Sequence, residues 1–152
     1  MKIEDAIKQK EFQNDHVKAS VNLIYTAEWF NGLIKQVLDE FGITHVQYNI
    51  LRILAGAKSP LSPGDIRKVM IFKSSDITRL MDRLVSKGLI DRVLCPTNRR
   101  KMDISINKNG VGLLEQIAPK ILHITESSFA SNLSDQEVNS FNDYLNRIRS
   151  NE

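Results

Sequence analysis

The chain has 152 residues, of which 41% are apolar and 26% charged. That is enough for one domain with a sizeable core and ordinary for a soluble globular protein. No apolar run approaches the ~20 residues of a membrane helix, the polar start MKIEDAIKQKEFQNDH does not suit a secretory signal, and the single cysteine, Cys95, allows no intrachain disulfide framework. These features point to a single domain over 1–152 in a reducing, cytoplasmic compartment.

Apolar residues from Val17 to Phe41 recur at three- and four-residue steps and predict a long amphipathic helix from about His16 to Phe41. The segment before it is expected to form a short helical turn or fray. Gly42 takes the position of a left-handed cap. Thr44 and Gln47 match a capping box, so a second helix runs to about Gly56 with Val46, Ile50, Leu51, Ile53 and Leu54 inward. Ser62-Pro63-Gly64-Asp65 opens a brief third helix burying Ile66, Val69 and Met70, with Ser62 as cap and Pro63 at the first helical position.

A fourth helix is expected from Ser74 or Ser75 to Lys87, capped by Gly88, with Ile77, Leu80, Met81, Leu84 and Val85 inward. Its other face carries Lys73, Asp76, Thr78, Arg79, Asp82 and Arg83. Two short helices joined by a tight turn, the second basic outside, make a helix-turn-helix arrangement. Strand-like runs at 89–94 and 102–106 then flank Cys95-Pro96-Thr97-Asn98-Arg99-Arg100-Lys101, a turn with three consecutive cations. Such an exposed cationic hairpin suits a minor groove, where the potential is most negative. Asn107 caps a helix from about Lys108 to Ala130 that buries Val111, Leu114 and Ile117 and contains Pro119, where a kink is expected. Ser134 and Glu137 form a second capping box ahead of a last helix carrying Val138, Phe141, Leu145 and Ile148.

Charge sharpens this picture. The net charge is +3, yet 67–101 holds ten basic residues against three acidic ones (Asp76, Asp82, Asp91), leaving +7 there and −4 on the rest. A concentrated basic region on a mildly acidic body fits a phosphate-backbone partner, although charge alone suits a solvated face equally well. The fold class is therefore mainly α with a small β-wing: a winged helix-turn-helix lobe at about 44–107, with the helices at about 1–41 and 108–150 left to form a dimerisation region.

The ordered set Gly42-Ile43-Thr44, Gln47 and Leu51, then Ser74-Ser75 with Ile77-Thr78-Arg79-Leu80, then Lys87-Gly88-Leu89-Ile90 with Arg92, then Pro96 with Asn98-Arg99-Arg100, and Leu133-Ser134 with Glu137 resembles the MarR family of bacterial transcriptional regulators over about 16–149. The resemblance implies a roughly triangular homodimer on a pseudo-palindromic operator in double-stranded DNA. In it the recognition helix lies in the major groove and a wing arginine in the minor groove, and a small-molecule effector or oxidant often releases the DNA. The family usually has Asp two residues before its wing arginine; here the residue is Asn98. Arg67 stands where a small residue is usual, and Asn107 where Thr is common.

On this reading Lys73, Ser74, Ser75, Thr78, Arg79, Arg83, Arg99, Arg100 and Lys101 contact DNA. Ser74 and Ser75 are expected at phosphates or as caps, Thr78 at base edges or a thymine methyl, and Arg79 at a base or phosphate. Arg100 is expected in the minor groove, with Arg99 and Lys101 on phosphates. Trp29, Phe30, Leu33, His45 and Tyr48 are the family-based candidates for an effector pocket, though core packing accounts for most of them equally well. Cys95 ends a wing strand and is expected to be a passive thiol rather than an oxidant sensor. His16, His45 and His123 lack metal-ligand spacing, and no phosphate loop or nucleophile-base pair stands out, so neither a cofactor nor an enzyme is expected. The expected function is a homodimeric, sequence-specific repressor. The competing reading is a winged-helix module that binds protein or RNA instead of an operator.

Overall fold

The chain's caps set its element boundaries. In the computed structural model, which describes residues 1–150 apart from 75, 96 and 97 and only the backbone of 95 and 98–101, nine regular elements follow one another. They are α1 (Ile3–Ile7), α2 (Asp15–Glu40), α3 (His45–Gly56), α4 (Pro63–Val69), α5 (Ile77–Ser86), β1 (Ile90–Cys95), β2 (Asn98–Ile106), α6 (Lys108–Thr125) and α7 (Asp135–Ile148). Thr44 and Ser134 close full capping boxes on α3 and α7, Ser62 caps α4 with Pro63 behind it, and the Asn107 side chain accepts from the Asn109 and Gly110 N–H groups. Each pairing satisfies helix-end donors that would otherwise have no partner.

Two helix ends are alike. Gly42 and Gly88 have φ of 64° and 66°. In each case the next residue's N–H returns to the carbonyl five back, Ile43 to Leu38 at 3.2 Å and Leu89 to Leu84 at 3.1 Å. All four of those side chains are buried, so an apolar contact locks each turn in the manner of a Schellman cap. Only a residue tolerant of positive φ serves at these points.

The core lies within the winged lobe. Leu38, Ile50, Leu51, Ile66, Met81, Leu84, Ile104 and Ile117 are its fully buried side chains, so α2 contributes through its last turns and α6 through its middle. The wing is a two-stranded antiparallel sheet pairing Ile90 with Ile106 and Leu94 with Met102, and a register shift between Leu94 and Cys95 brings Cys95 opposite Asn98. Leu61 adds an antiparallel bridge to Ile104, with both N–H···O bonds at 2.9 Å, so the segment before α4 anchors the base of the hairpin.

Several boundaries differ from expectation. Helix α5 starts at Ile77 with Asp76 as its cap, not at Ser74 or Ser75. Strand β2 begins at Asn98, so the backbone at 99–101 belongs to the strand and not to the turn. The expected helix over 108–130 is α-helical to Thr125 and continues as a π-helical turn, Glu126–Ala130. Val69, Val85 and Val111, expected inside, are exposed, because the neighbours of each helix cover a narrower stripe than its apolar residues span. On α2 only Val37 and Leu38 are buried, and Ile24 and Trp29 face outward. On α7 no residue is buried. The long terminal helices thus carry apolar faces that this chain does not cover.

Candidate nucleic-acid interface and its supporting contacts

The outward face of α5 begins with its cap. The Asp76 carboxylate accepts from the Arg79 N–H at 3.1 Å, and its other oxygen pairs with Arg79 Nε at 3.3 Å. Sequence reasoning missed this role, although an Asp three residues before an Arg at a helix start is a legible signal. Lys73, Thr78, Arg79 and Arg83 are all exposed on this side. Ser74 is half-buried, and its hydroxyl oxygen accepts from the Asp76 N–H at 3.3 Å. Ser75 and the side chains of Arg99, Arg100 and Lys101 lie outside the described residues, as does the relation of Asn98 to Arg100. Four of the expected DNA contacts are therefore exposed, Lys73 ahead of α5, Thr78 and Arg79 in its first turn and Arg83 in its last, while Ser74 braces the cap residue Asp76.

The segment leading into α5 is tied from several sides. Arg67 of α4, whose contact the sequence leaves open, donates from Nη2 to the Ser74 carbonyl at 3.3 Å. From α3, Asn49 Oδ1 accepts from the Ile71 N–H at 2.9 Å, and the His45 ring lies 5.3 Å from Phe72. On the far side, Arg92 of β1 donates to Asp82 of α5 at 2.7 Å and couples the wing to the helix. Gly110 permits the close seating of α6 below the wing: a Cβ there would stand 2.2 Å from the Leu89 carbonyl oxygen.

Burial lowers the His45 pKa from its ordinary 6.5, an effect reinforced by Lys35 and opposed by a bond to the Asn31 backbone and by Asp39 and Glu28. Its Nε2 is buried without a hydrogen-bond partner. Of the five residues expected around an effector, Trp29 and Phe30 are in ring contact, with centroids 6.4 Å apart. Phe30 lines a groove of about 670 Å³ between α2 and α7, together with Leu23, Phe129, Phe141, Leu145 and Ile148, whereas Trp29, Leu33, His45 and Tyr48 are not part of its lining. Phe30 meets Phe129 edge-on at 5.6 Å, and Phe129 is carried on the π-helical turn. Among the described residues no His, Cys, Asp or Glu cluster could hold a metal ion, and no helix is long and apolar enough to cross a membrane.

Comparison with known proteins agrees with this architecture. Residues 41–101 match the family model described as MarR family. The multiple antibiotic resistance protein MarR of Escherichia coli is 25% identical over 76% of this chain and 80% of its own length. The regulator MhqR of Bacillus subtilis is 29% identical over 78% and 80%. Among solved structures, mutant MarR from E. coli complexed with operator DNA superposes with a TM-score of 0.78 at 22% identity, covering 91% of this chain and 99% of that one. Sco3205 from Streptomyces coelicolor, in complex with DNA, superposes at 0.82 with 18% identity over 94% and 91%. Winged-lobe sequence, relatives' sequences and chain-long fold agree, and in all three the chain is similar to the MarR family of winged helix-turn-helix transcriptional regulators.

Proposed function

We propose that the protein is a cytoplasmic, homodimeric repressor that binds a pseudo-palindromic operator in duplex DNA. The observation that carries this reading is the row of exposed polar and basic residues on and just before α5 (Lys73, Thr78, Arg79 and Arg83), beside a wing whose sequence is Asn98-Arg99-Arg100-Lys101. A helix N-terminus with short polar and cationic side chains suits a major groove, and a cationic ribbon suits the adjacent minor groove. In this reading Ser75 joins the phosphate contacts, Arg100 enters the minor groove, and Arg99 and Lys101 meet phosphates.

The dimer is supported by the groove between α2 and α7. Phe141, Tyr144 and Ile148 are 36%, 57% and 65% exposed, an uncovered apolar surface at the end of the chain away from α5. Burying it against a second copy joins two basic lobes at fixed spacing, about one helical turn of DNA between half-sites. Effector release is proposed from the regulation of DNA binding by 6-hydroxynicotinic acid in Bordetella bronchiseptica BpsR, with Trp29, Phe30, Leu33, His45 and Tyr48 as candidate contacts.

The test selects bound sequences from a random duplex pool, then titrates the recovered site against salt. Two chains per site, a pseudo-palindromic consensus and a steep negative dependence on salt are expected. Absence of any preferred duplex rejects the reading and favours the protein- or RNA-binding alternative.

A further inference from the structure

The segment leading into α5 receives one hydrogen bond and one ring contact from α3. Residues 71–74 lie between the end of α4 at Val69 and the Asp76 cap of α5. One face of α3 holds this segment. Asn49, 8% exposed, accepts the Ile71 N–H at 2.9 Å across 22 residues of sequence. One turn earlier on α3, His45 lies against Phe72 with ring centroids 5.3 Å apart and planes tilted by 56°. Residues four apart on a helix share a face, so these two contacts form one continuous support from α3 to the segment that precedes α5.

We propose that Asn49, assisted by His45, is a positioning residue for DNA recognition, fixing the Ile71-Phe72 backbone and hence the angle at which α5 enters the groove. This rests on the DNA-binding reading above. The chemistry is specific. A buried side-chain amide on a helix facing an apolar core is unfavourable unless its polar atoms are used, and here the oxygen is used on the segment that precedes the recognition helix. Ile71 itself is 78% exposed, so water replaces the bond if Asn49 is lost. The fold then survives, while the orientation of the segment is no longer fixed.

The experiment compares the full chain with Asn49→Leu, which keeps the volume and removes the acceptor, and Asn49→Asp, which keeps an acceptor. Asn49→Ser, whose oxygen falls short, replaces the leucine variant should that fail to fold. Measured quantities are Ile71 amide hydrogen exchange, thermal midpoint, and affinity at fixed salt for the selected site and for a scrambled duplex. For Asn49→Leu, Ile71 exchange rises about tenfold and the selected-to-scrambled affinity ratio falls about fivefold, in keeping with one lost hydrogen bond. Scrambled-duplex affinity is unchanged, because phosphate contacts do not need one exact helix angle. Asn49→Asp restores the ratio.

An unchanged ratio in Asn49→Leu overturns the proposal. So does an equal loss on both duplexes together with a lowered thermal midpoint, which marks a general role in folding. A wild-type chain that prefers no duplex overturns the functional reading and this proposal together, and is distinguished by needing no variant.

Discussion

Asp76 combines two roles that a pair of substitutions separates. Its carboxylate caps α5 through the Arg79 N–H and also pairs with the Arg79 guanidinium, on side chains 50% and 78% exposed. Replacing a capping Asp by Ala removes about 1 kcal/mol, and loss of a negative charge from a helix start about 0.5 kcal/mol more. The exposed ion pair adds a few tenths of a kcal/mol at most. Asp76→Ala is therefore expected to lose about 1.5 kcal/mol, or roughly 3–6 °C in thermal midpoint for a chain of this size. Asn caps as well as Asp, so Asp76→Asn loses only about 0.5 kcal/mol.

On DNA the two variants are expected to behave alike, since both remove a carboxylate from the end of α5 that the proposed reading sets against phosphate, and both release Arg79. If Arg79 then gains one phosphate, the slope of log K against log salt steepens by about 0.9. Chemical denaturation and salt titration of the three proteins provide the check. Equal destabilisation by Asn and Ala refutes the cap as the dominant role. A salt slope unchanged in both refutes the placement of this helix end beside the DNA backbone.

Three further outcomes follow from the geometry. Gly110→Ala puts a methyl 2.2 Å from the Leu89 carbonyl and 2.6 Å from the Ile106 side chain, and a loss of about 3 kcal/mol is expected in denaturant unfolding; a loss below about 0.5 kcal/mol contradicts that packing. His45 is held neutral by burial below its ordinary pKa of 6.5, so as pH falls from 6.5 towards the folded value the unfolded chain takes up the proton first. Stability is thus highest above 6.5 and declines through that window, and His45→Gln should lessen the decline between pH 7.5 and 5.5; identical declines refute the assignment. Arg100→Ala is expected to weaken operator binding by about 1–3 kcal/mol at fixed salt, and unchanged affinity removes Arg100 from the minor groove.

Much of this protein was legible in local sequence. The caps at Thr44, Ser62, Asn107 and Ser134 were read correctly because each acts over two or three residues, within a motif that needs no partner from elsewhere. Gly42 and Gly88 were legible for the same reason, as was the alternation of the second wing strand. The order of elements and the exposed basic face of α5 followed from these.

Tertiary structure decided what several local solutions left open. Ser74, Ser75 and Asp76 are three successive acceptable caps, and Asp76 takes the role in a segment held by Asn49, His45 and Arg67 from two other helices. The apolar stripes of α4, α5 and α6 were evident, but neighbouring elements set their buried width and left Val69, Val85 and Val111 outside. The groove between α2 and α7 joins residues more than a hundred positions apart, so the sequence marks it only as apolar faces lacking a cover. Propensity and capping are local and fix where elements begin and end; burial and aim are properties of neighbours, and only the folded chain supplies them.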